Sequence, residues 1–337
     1  MAERVKWGIL GNATIARMCI IPAIQKSCNG VVHALATRSP EQAVQTAAEN
    51  KIQHVVASYE TLLNDSTIDA IYNPLPNHLH HPWTLKALRS GKHVLCEKPM
   101  ACNEGEAREM ADTASERGRM LMEAFSYRFH PRSQRIKQMM SQGLIGKPRL
   151  VRSAFCFHIG DELLNRCDNC RMKPEMGGGA LLDVGCYGVS VARWLLDAEP
   201  IQVQAQAVYH PSEVDIHVVG LLRFPGDVLA TIEASFITAL QQTYAVIGTK
   251  GVIELPHDAF IPWEKDAVFT VRDRNEEKGH EHVTPGVDGY RLMVEHFADA
   301  IQTGKTLTFS PEESIRNMQV LDALAKAARS GKTINLD

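Results

Sequence analysis

Four stretches of this chain carry residues whose types and spacing could do chemistry. The first is Gly11-Asn12-Ala13-Thr14-Ile15-Ala16, which follows the apolar run Val5–Leu10. Taken as Gly11-x-Ala13-x-x-Ala16, it is a degenerate dinucleotide fingerprint. Small residues there let backbone N–H groups and a helix N-terminus approach a pyrophosphate closely. Alanine stands where the second glycine belongs, so the same residues also describe a plain tight strand-to-helix turn. The second is Thr37-Arg38-Ser39, at the end of the next strand. A site selective for NAD usually carries an Asp or Glu there. A guanidinium with two hydroxyls suits a 2′-phosphate instead, which makes NADP(H) the preferred cofactor and NAD(H) the lesser one. The competing reading is an exposed arginine in a turn.

The third stretch, Glu97-Lys98-Pro99, directly follows the apolar run His93–Cys96. In an open parallel sheet the carboxyl ends of the strands face the ligand crevice, so Lys98 is expected near the reacting end of a cofactor. A Lys-Pro bond can also be cis at modest cost, turning the lysine inward. A surface lysine after a strand is equally compatible with these residues. The fourth is Gly177-Gly178-Gly179-Ala180-Leu181-Leu182-Asp183-Val184-Gly185-Cys186-Tyr187. Asp183 and Tyr187 are four apart and share a face if helical. A tyrosine can exchange a proton with a developing alkoxide when a nearby cation eases its ionisation, and Lys98 is a candidate for that cation. An N-capping Asp beside a core Tyr explains the same spacing.

Two patterns resemble metal sites and are set aside. Cys167 and Cys170 form a C-x-x-C, but Cys156 and Cys186 are isolated rather than a second closely spaced pair. His78, His80 and His81 fall between a strand and its helix, and Gly279–His282 falls in a polar stretch, Arg272–His282, expected to be an exposed loop. No metal is expected.

The elements that must position these residues change character along the chain. Strand-like runs at Val5–Leu10, Val31–Ala36, Ala70–Pro76, His93–Cys96 and Met120–Phe125 alternate with helical patterns over Thr14–Ser27, Pro40–Asn50, His81–Ser90 and Glu104–Arg117. Such alternation predicts βαβ units and a parallel sheet. From Ile201 the runs become consecutive: Ile201–Tyr209, Ile216–Phe224, Val228–Phe236, Tyr244–Ile247 and Gly251–Leu255, joined by short turns. Tight turns imply antiparallel meanders. Helices are expected over Gly289–Thr303 and Pro311–Ser330.

The 337 residues suit about two domains. Lys and Arg number 36 against 39 Asp and Glu, a formal net charge of −3; that near-balance argues against a nucleic-acid or anionic-membrane partner. No apolar run in the sequence approaches the ~20 residues of a spanning helix. Neither a secretory signal nor a disulfide framework is expected from the first residues and the eight cysteines, so the cytoplasm is the expected compartment.

Together, Gly11-Asn-Ala13-x-Ile15-Ala16, Glu97-Lys98-Pro99, the Gly177–Tyr187 stretch and Gly248-Thr-Lys-Gly251 resemble the glucose–fructose oxidoreductase, inositol dehydrogenase and rhizopine catabolism family (Gfo/Idh/MocA). The resemblance runs in order over nearly the whole chain. It implies an α/β chain: a Rossmann dinucleotide-binding domain over 1–125, and over 126–288 a C-terminal α/β substrate and dimerisation domain with an open, predominantly antiparallel sheet. The helices of 289–337 would pack back on the first domain, and the sheet would mediate a homodimer or higher homo-oligomer. It further implies hydride transfer between a nicotinamide and a carbohydrate-like alcohol or carbonyl, with Lys98 as the family lysine. Tyr187 stands where inositol-dehydrogenase-like members have histidine. That resembles the branch with dimeric dihydrodiol dehydrogenase, NADP-dependent xylose dehydrogenase and keto-sugar reductases. By the same resemblance Pro74, Leu75, Pro76 and Asn77 are cofactor contacts, as are Glu97, Tyr290 and Arg171. Asp183, Arg171 and His158 would hold substrate hydroxyls. A catalytically silent dinucleotide-binding sensor of the same fold is the alternative.

Overall fold

Near-continuous apolar runs form strands buried on both faces, which is what a parallel sheet covered by helices requires. The computed structural model describes residues 3–166 and 169–336. It builds a first sheet from β1 (Val5–Leu10), β2 (Gly30–Ala36), β3 (His54–Val56), β4 (Ala70–Asn73), β5 (His93–Cys96) and β6 (Leu121–Glu123). Their order is β3-β2-β1-β4-β5-β6, with every pair parallel. The interleaved helices are α1 (Ile21–Lys26), α2 (Pro40–Glu49), α3 (Tyr59–Leu63), α4 (Asn77–Arg89) and α5 (Glu104–Glu116). The order reverses between β1 and β4, and ligands of such sheets bind outside the carboxyl ends of the strands at that switch point. β3 and α3 were not expected from the sequence, because three and five residues are too few for a period to show. Ser58 nevertheless marks the start of α3, its hydroxyl accepting from the amide of Thr61 at 3.3 Å.

This first unit comprises the residues up to Ser126 together with Asp288–Ile315. The helix Gly289–Thr303 belongs to it: Phe297 packs its ring 5.6 Å from that of Trp7 on β1, and Glu295 accepts from the amide of Cys28.

The second unit comprises Tyr127–Val287 and Arg316 onward. It holds α6 (Pro131–Ser141), β7 (Pro148–His158), α7 (Asp161–Asn165), α8 (Cys186–Leu196), β8 (Gln202–Tyr209), β9 (Asp215–Phe224), β10 (Val228–Ser235), β11 (Ile237–Gly248), β12 (Gly251–Leu255), β13 (Ala267–Asp273) and β14 (His280–Thr284). With α9 (Gly289–Thr303), α10 (Pro311–Ser330) and β15 (Ile334–Asn335) the order of elements is complete. The second sheet runs β14-β13-β12-β11-β7-β10-β9-β8-β15, antiparallel except where β7 lies parallel to β10. One face carries α8, where Gly188 has no Cβ because one would lie 3.0 Å from Ile232. The other face exposes Val208, Val219, Leu221 and Leu229.

The structure corrects four expectations. Only the ends of Arg272–His282 depart from the expected loop: 272–273 finish β13 and 280–282 begin β14, while 274–279 form the exposed turn of a charged sheet-edge hairpin anchored by the fully buried Phe269. The central strand β7 was missed because Pro148, Arg149 and Arg152 interrupt its apolar pattern, and Tyr244–Ile247 is only the inner part of β11. The segment 289–337 does not return as a whole to the first unit. From Arg316 it belongs to the second, where Asn317 donates to the carbonyl of Cys186 at 3.2 Å and β15 pairs with β8. Finally, the helical stretch Pro174–Leu196 is long and apolar enough to span a membrane by composition, yet 78% of its most apolar window is buried. It is a core helix of the second unit.

Candidate functional site

In the first unit the glycine loop leaves β1 at the switch point. Gly11 adopts φ +86°, a conformation costly for a side chain. A Cβ there would lie 3.0 Å from Leu75 and 3.5 Å from the Tyr59 hydroxyl. Ala13 carries on from it, Ile15 opens a π-helical turn over Ala16–Ile20, and Ala16 is fully buried. Asn12 donates to the carbonyl of Gln42 at 3.1 Å, while its amide oxygen is buried without a protein partner. Thr37, at the end of β2, is buried and accepts from the amide of Ser39 at 3.3 Å; Arg38 is exposed and hydrogen-bonds the Tyr59 phenol. Sequence reasoning missed Tyr59; the signal available was its place just after the Ser58 cap.

The loop after β4, Pro74-Leu75-Pro76, leads into Asn77 at the start of α4. His80, fully buried, ties this loop to the turn after β5: Nε2 lies 2.7 Å from the carbonyl oxygen of Leu75 and Nδ1 2.8 Å from that of Pro99. Both ring nitrogens are thereby used on backbone, which removes His80 from any metal cluster. Among the described residues no group of three or more His, Cys, Asp or Glu is arranged to hold a metal; Cys167 lies outside the described residues. The Lys98–Pro99 peptide is cis. Glu97 is buried and accepts from the Tyr72 hydroxyl at 2.5 Å; burial, with that neighbouring carboxylate adding to it, pushes the Tyr72 phenol up. Tyr290, in the first turn of α9, hydrogen-bonds Cys19, whose thiol burial pushes up to about 11.

In the second unit each glycine before Asp183 has a steric reason. Gly177 closes a short 3-10 turn at φ +71°, and a Cβ on Gly178 would lie 2.5 Å from the carbonyl oxygen of Arg171. Gly179 has φ +111°, and a Cβ there would lie 2.3 Å from Oδ1 of Asp215. The chain then enters a π-helical turn over Leu181–Gly185 that continues as α8. Such turns recur at functional sites because they re-aim side chains. Asp183 receives Nε of Arg171 at 2.7 Å, which holds the guanidinium protonated. Tyr187 is 6% exposed among Tyr127, Phe155 and Phe260, with ring centroids 6.1, 5.1 and 5.2 Å away. The structure thus brings Arg171 to Asp183. It does not join His158 to them: that ring, exposed at the end of β7, faces Asp161 at 3.5 Å and accepts from the amide of Gly160.

A doubly wound parallel sheet with a small-residue loop at its switch point, followed by an α/β unit with an open sheet, defines a dinucleotide-dependent oxidoreductase of two-domain type. Residues 5–125 match the model of the oxidoreductase family with an NAD-binding Rossmann fold, and 133–254 match that of the GFO/IDH/MocA C-terminal domain. The chain belongs to the GFO/IDH/MocA oxidoreductase family. It is 37% identical to a D-xylose 1-dehydrogenase (NADP(+)) of Haloferax volcanii, over 98% of this chain and 99% of that one. It is 34% identical to a trans-1,2-dihydrobenzene-1,2-diol dehydrogenase of Xenopus tropicalis, over 76% and 77%. Among solved structures, a 3-ketoreductase from Actinomadura kijaniata in complex with NADP and TDP-benzene superimposes with a TM-score of 0.89 at 28% identity, covering 96% and 98%.

Proposed function

We propose that this chain is an NADP(H)-preferring dehydrogenase or reductase. It exchanges a hydride with a CH–OH or carbonyl carbon of a carbohydrate-like substrate: a sugar, polyol, keto-sugar or dihydrodiol. The observation that carries the reading is Lys98, set on the turn at the carboxyl end of β5, in the same unit and at the same end of the sheet as the glycine loop. The relatives named above act on carbons that bear oxygen beside other oxygenated carbons, which is the substrate chemistry the reading adopts.

The residues present fit the cofactor. Gly11, Ala13 and Ala16 put no bulky side chain at three positions of the loop, where a pyrophosphate would approach the backbone, and the buried oxygen of Asn12, which has no protein partner, would accept from a cofactor hydroxyl. Arg38, with Thr37 and Ser39, would hold a 2′-phosphate; Pro74, Leu75, Pro76, Asn77, Glu97 and Tyr290 would line the remainder. When bound, NADPH supplies the hydride. Tyr187 would give its phenolic proton to the carbonyl oxygen in reduction and withdraw it from the hydroxyl in oxidation. Lys98 would hydrogen-bond that same oxygen and stabilise its charge as it develops. Asp183, oriented by Arg171, would accept from a neighbouring hydroxyl. A silent sensor of the same fold would need neither Lys98 nor Tyr187.

The same reading includes a homodimer through the open face of the second sheet, where Val219 and Leu221 on β9 and Leu229 on β10 lie side by side and exposed. It places the protein in the cytoplasm, in keeping with seven free cysteines among the described residues. The test is titration with NADPH and NADH by fluorescence, followed by turnover on a panel of aldoses, polyols, keto-sugars and vicinal diols. Cofactor binding without turnover on any member would overturn the enzymatic reading.

A further inference from the structure

The helix that bears Asp183 and Tyr187 begins against a carboxylate from a distant strand. Asp215, the first residue of β9, accepts from the amide of Leu181 at 2.6 Å. It accepts from the amide of Ala180 as well. The first amides of a helix have no partner within it, and the macrodipole puts partial positive charge there, so an anion at this position both satisfies and attracts them. The third glycine is the complement of this contact. Gly179 has φ +111°, and a Cβ on it would fall 2.3 Å from Oδ1 of Asp215. The carboxylate and the last residue of the glycine loop therefore occupy one another's space. Immediately past it the amide of Asp183 closes on the carbonyl of Gly179 at 3.1 Å, so the first turn set by Asp215 is the turn that aims Asp183.

We infer that Asp215 is a positioning residue for the reaction: its ionised carboxylate clamps the start of this helix and fixes where Asp183 and Tyr187 point. The inference rests on the assignment of Tyr187 to the proton transfer. The groups facing Asp215 from the packed elements are few: the Leu181 and Ala180 amides, its own amide, Arg329 from α10, and Tyr209 from β8, which carries Arg329 over its ring at 5.2 Å. Burial beneath the glycine loop pushes the carboxyl up to about 6, against the smaller opposing pull of those amides and Arg329. Asp215 is ionised at pH 7.5 and takes up a proton as the pH falls through about 6, which removes the charge from the helix terminus.

The experiment compares the full-length wild type with Asp215→Asn, Asp215→Glu and Tyr187→Phe. Two readouts are taken: hydrogen–deuterium exchange of the peptide covering 178–190, and kcat and KM against pH from 5 to 9. Asp215→Asn keeps one acceptor oxygen, loses the charge and turns the other oxygen into an NH2 donor beside two backbone amides that also donate. Its 178–190 peptide should exchange about tenfold faster, because one acceptor for the Leu181 and Ala180 amides is lost, and tenfold corresponds to roughly 1.4 kcal/mol. Its kcat should fall several-fold at pH 7.5 with KM little changed, and the acid limb near pH 6 should flatten. Asp215→Glu should restore part of kcat. Unchanged exchange of that peptide in Asp215→Asn overturns the inference whatever the activity. An acid limb identical to wild type overturns it as well. If Tyr187→Phe retains full turnover, the enzymatic assignment fails instead, and the exchange readout still decides whether Asp215 holds the helix.

Discussion

The ring of His80 spans two carbonyl oxygens, that of Leu75 at 2.7 Å and that of Pro99 at 2.8 Å, and so joins the loop after β4 to the turn that carries Lys98. Burial is the larger influence on this ring and, with the Lys98 ammonium, outweighs the pull of the carbonyls, bringing the imidazole down to about 4. At neutral pH one nitrogen therefore donates and the other only faces its carbonyl. Replacing His80 by Ala removes that one donor and leaves its carbonyl unsatisfied, at a cost of about 1–3 kcal/mol, and also removes the ring that spaces the two loops. The expected outcome is a melting temperature lower by several degrees and an NADPH affinity weaker by about tenfold, since 1.4 kcal/mol of lost loop order corresponds to that factor. Thermal melts and fluorescence titration measure the two effects. Wild-type values for both would show that the bridge holds neither loop.

Tyr187→Phe removes the phenolic proton and keeps the ring that packs among Phe155, Tyr127 and Phe260. Turnover should fall by about 10²-fold or more, the scale of a lost acid–base group. NADPH binding should stay nearly intact, because Tyr187 lies in the second unit whereas the fingerprint loop lies in the first. Steady-state kinetics on any accepted substrate, with a parallel titration, separates the two. Unchanged kcat would remove Tyr187 from the chemistry.

Arg38 is exposed beside Tyr59, and no carboxylate takes the ribose-binding place at the end of β2. A charge-assisted hydrogen bond contributes about 1.5–3 kcal/mol, so Arg38→Ala should raise KM for NADPH by roughly 10- to 100-fold. KM for NADH should barely move, since it has no 2′-phosphate to lose a contact. Equal losses with both cofactors would mean that Arg38 supports the fold of the loop rather than reads the phosphate.

On the open face of the second sheet, Val219 pairs across to Gln206 on β8 and to Glu233 on β10, and Leu221 to Gln204 and Thr231. An apolar stripe framed by polar residues in this way suits an interface between copies. Val219→Glu with Leu221→Glu should convert the proposed dimer to monomer in size-exclusion chromatography with light scattering, with far-UV circular dichroism unchanged. A wild type that already runs as a monomer would dispose of the dimer.

How much of this was legible in the sequence follows from what each signal rests on. Glu97-Lys98-Pro99 and Gly177–Tyr187 are local in the chain, so their residues read directly. The switch point was legible too, because alternation of strands and helices leaves few topologies. Tyr59 and Asp215 were not legible: each acts through a neighbour far along the chain, Gly11 in one case and Gly179 in the other. Nothing in the spacing 179 to 215 announces a contact. The triple glycine was visible as a motif, but its third member becomes intelligible only once Asp215 is seen to fill the space. β7 shows the same limit, since its pairing with both β10 and β11 overrides an arginine-interrupted pattern.

The pH dependence of stability supplies the last test. His93 accepts from the amide of Met120 through Nδ1 at 3.0 Å, a contact that requires this nitrogen to be unprotonated. Burial, with the charge of Arg119, lowers its imidazole to about 4. His130 likewise accepts at Nδ1 from the amide of Arg132 at the start of α6, and burial lowers it to about 4. The unfolded chain protonates both near the ordinary value of about 6.5. Between about 6.5 and 4 the unfolded state therefore binds more protons, and stability drops as the pH falls through that window. Asp215, with its carboxyl raised to about 6, works in the opposite sense: the folded state binds the extra proton between the usual carboxylate value and about 6, so its contribution improves as the pH falls. With three histidines, His80 included, against one carboxylate, melting temperature should decline from pH 6.5 to 4.5. His93→Asn deletes one titrating ring and should flatten the slope by at most about 1.4 kcal/mol per pH unit, the value of one proton. Melts at half-unit pH intervals measure it; a variant with the wild-type slope would show that His93 is already protonated in the folded state.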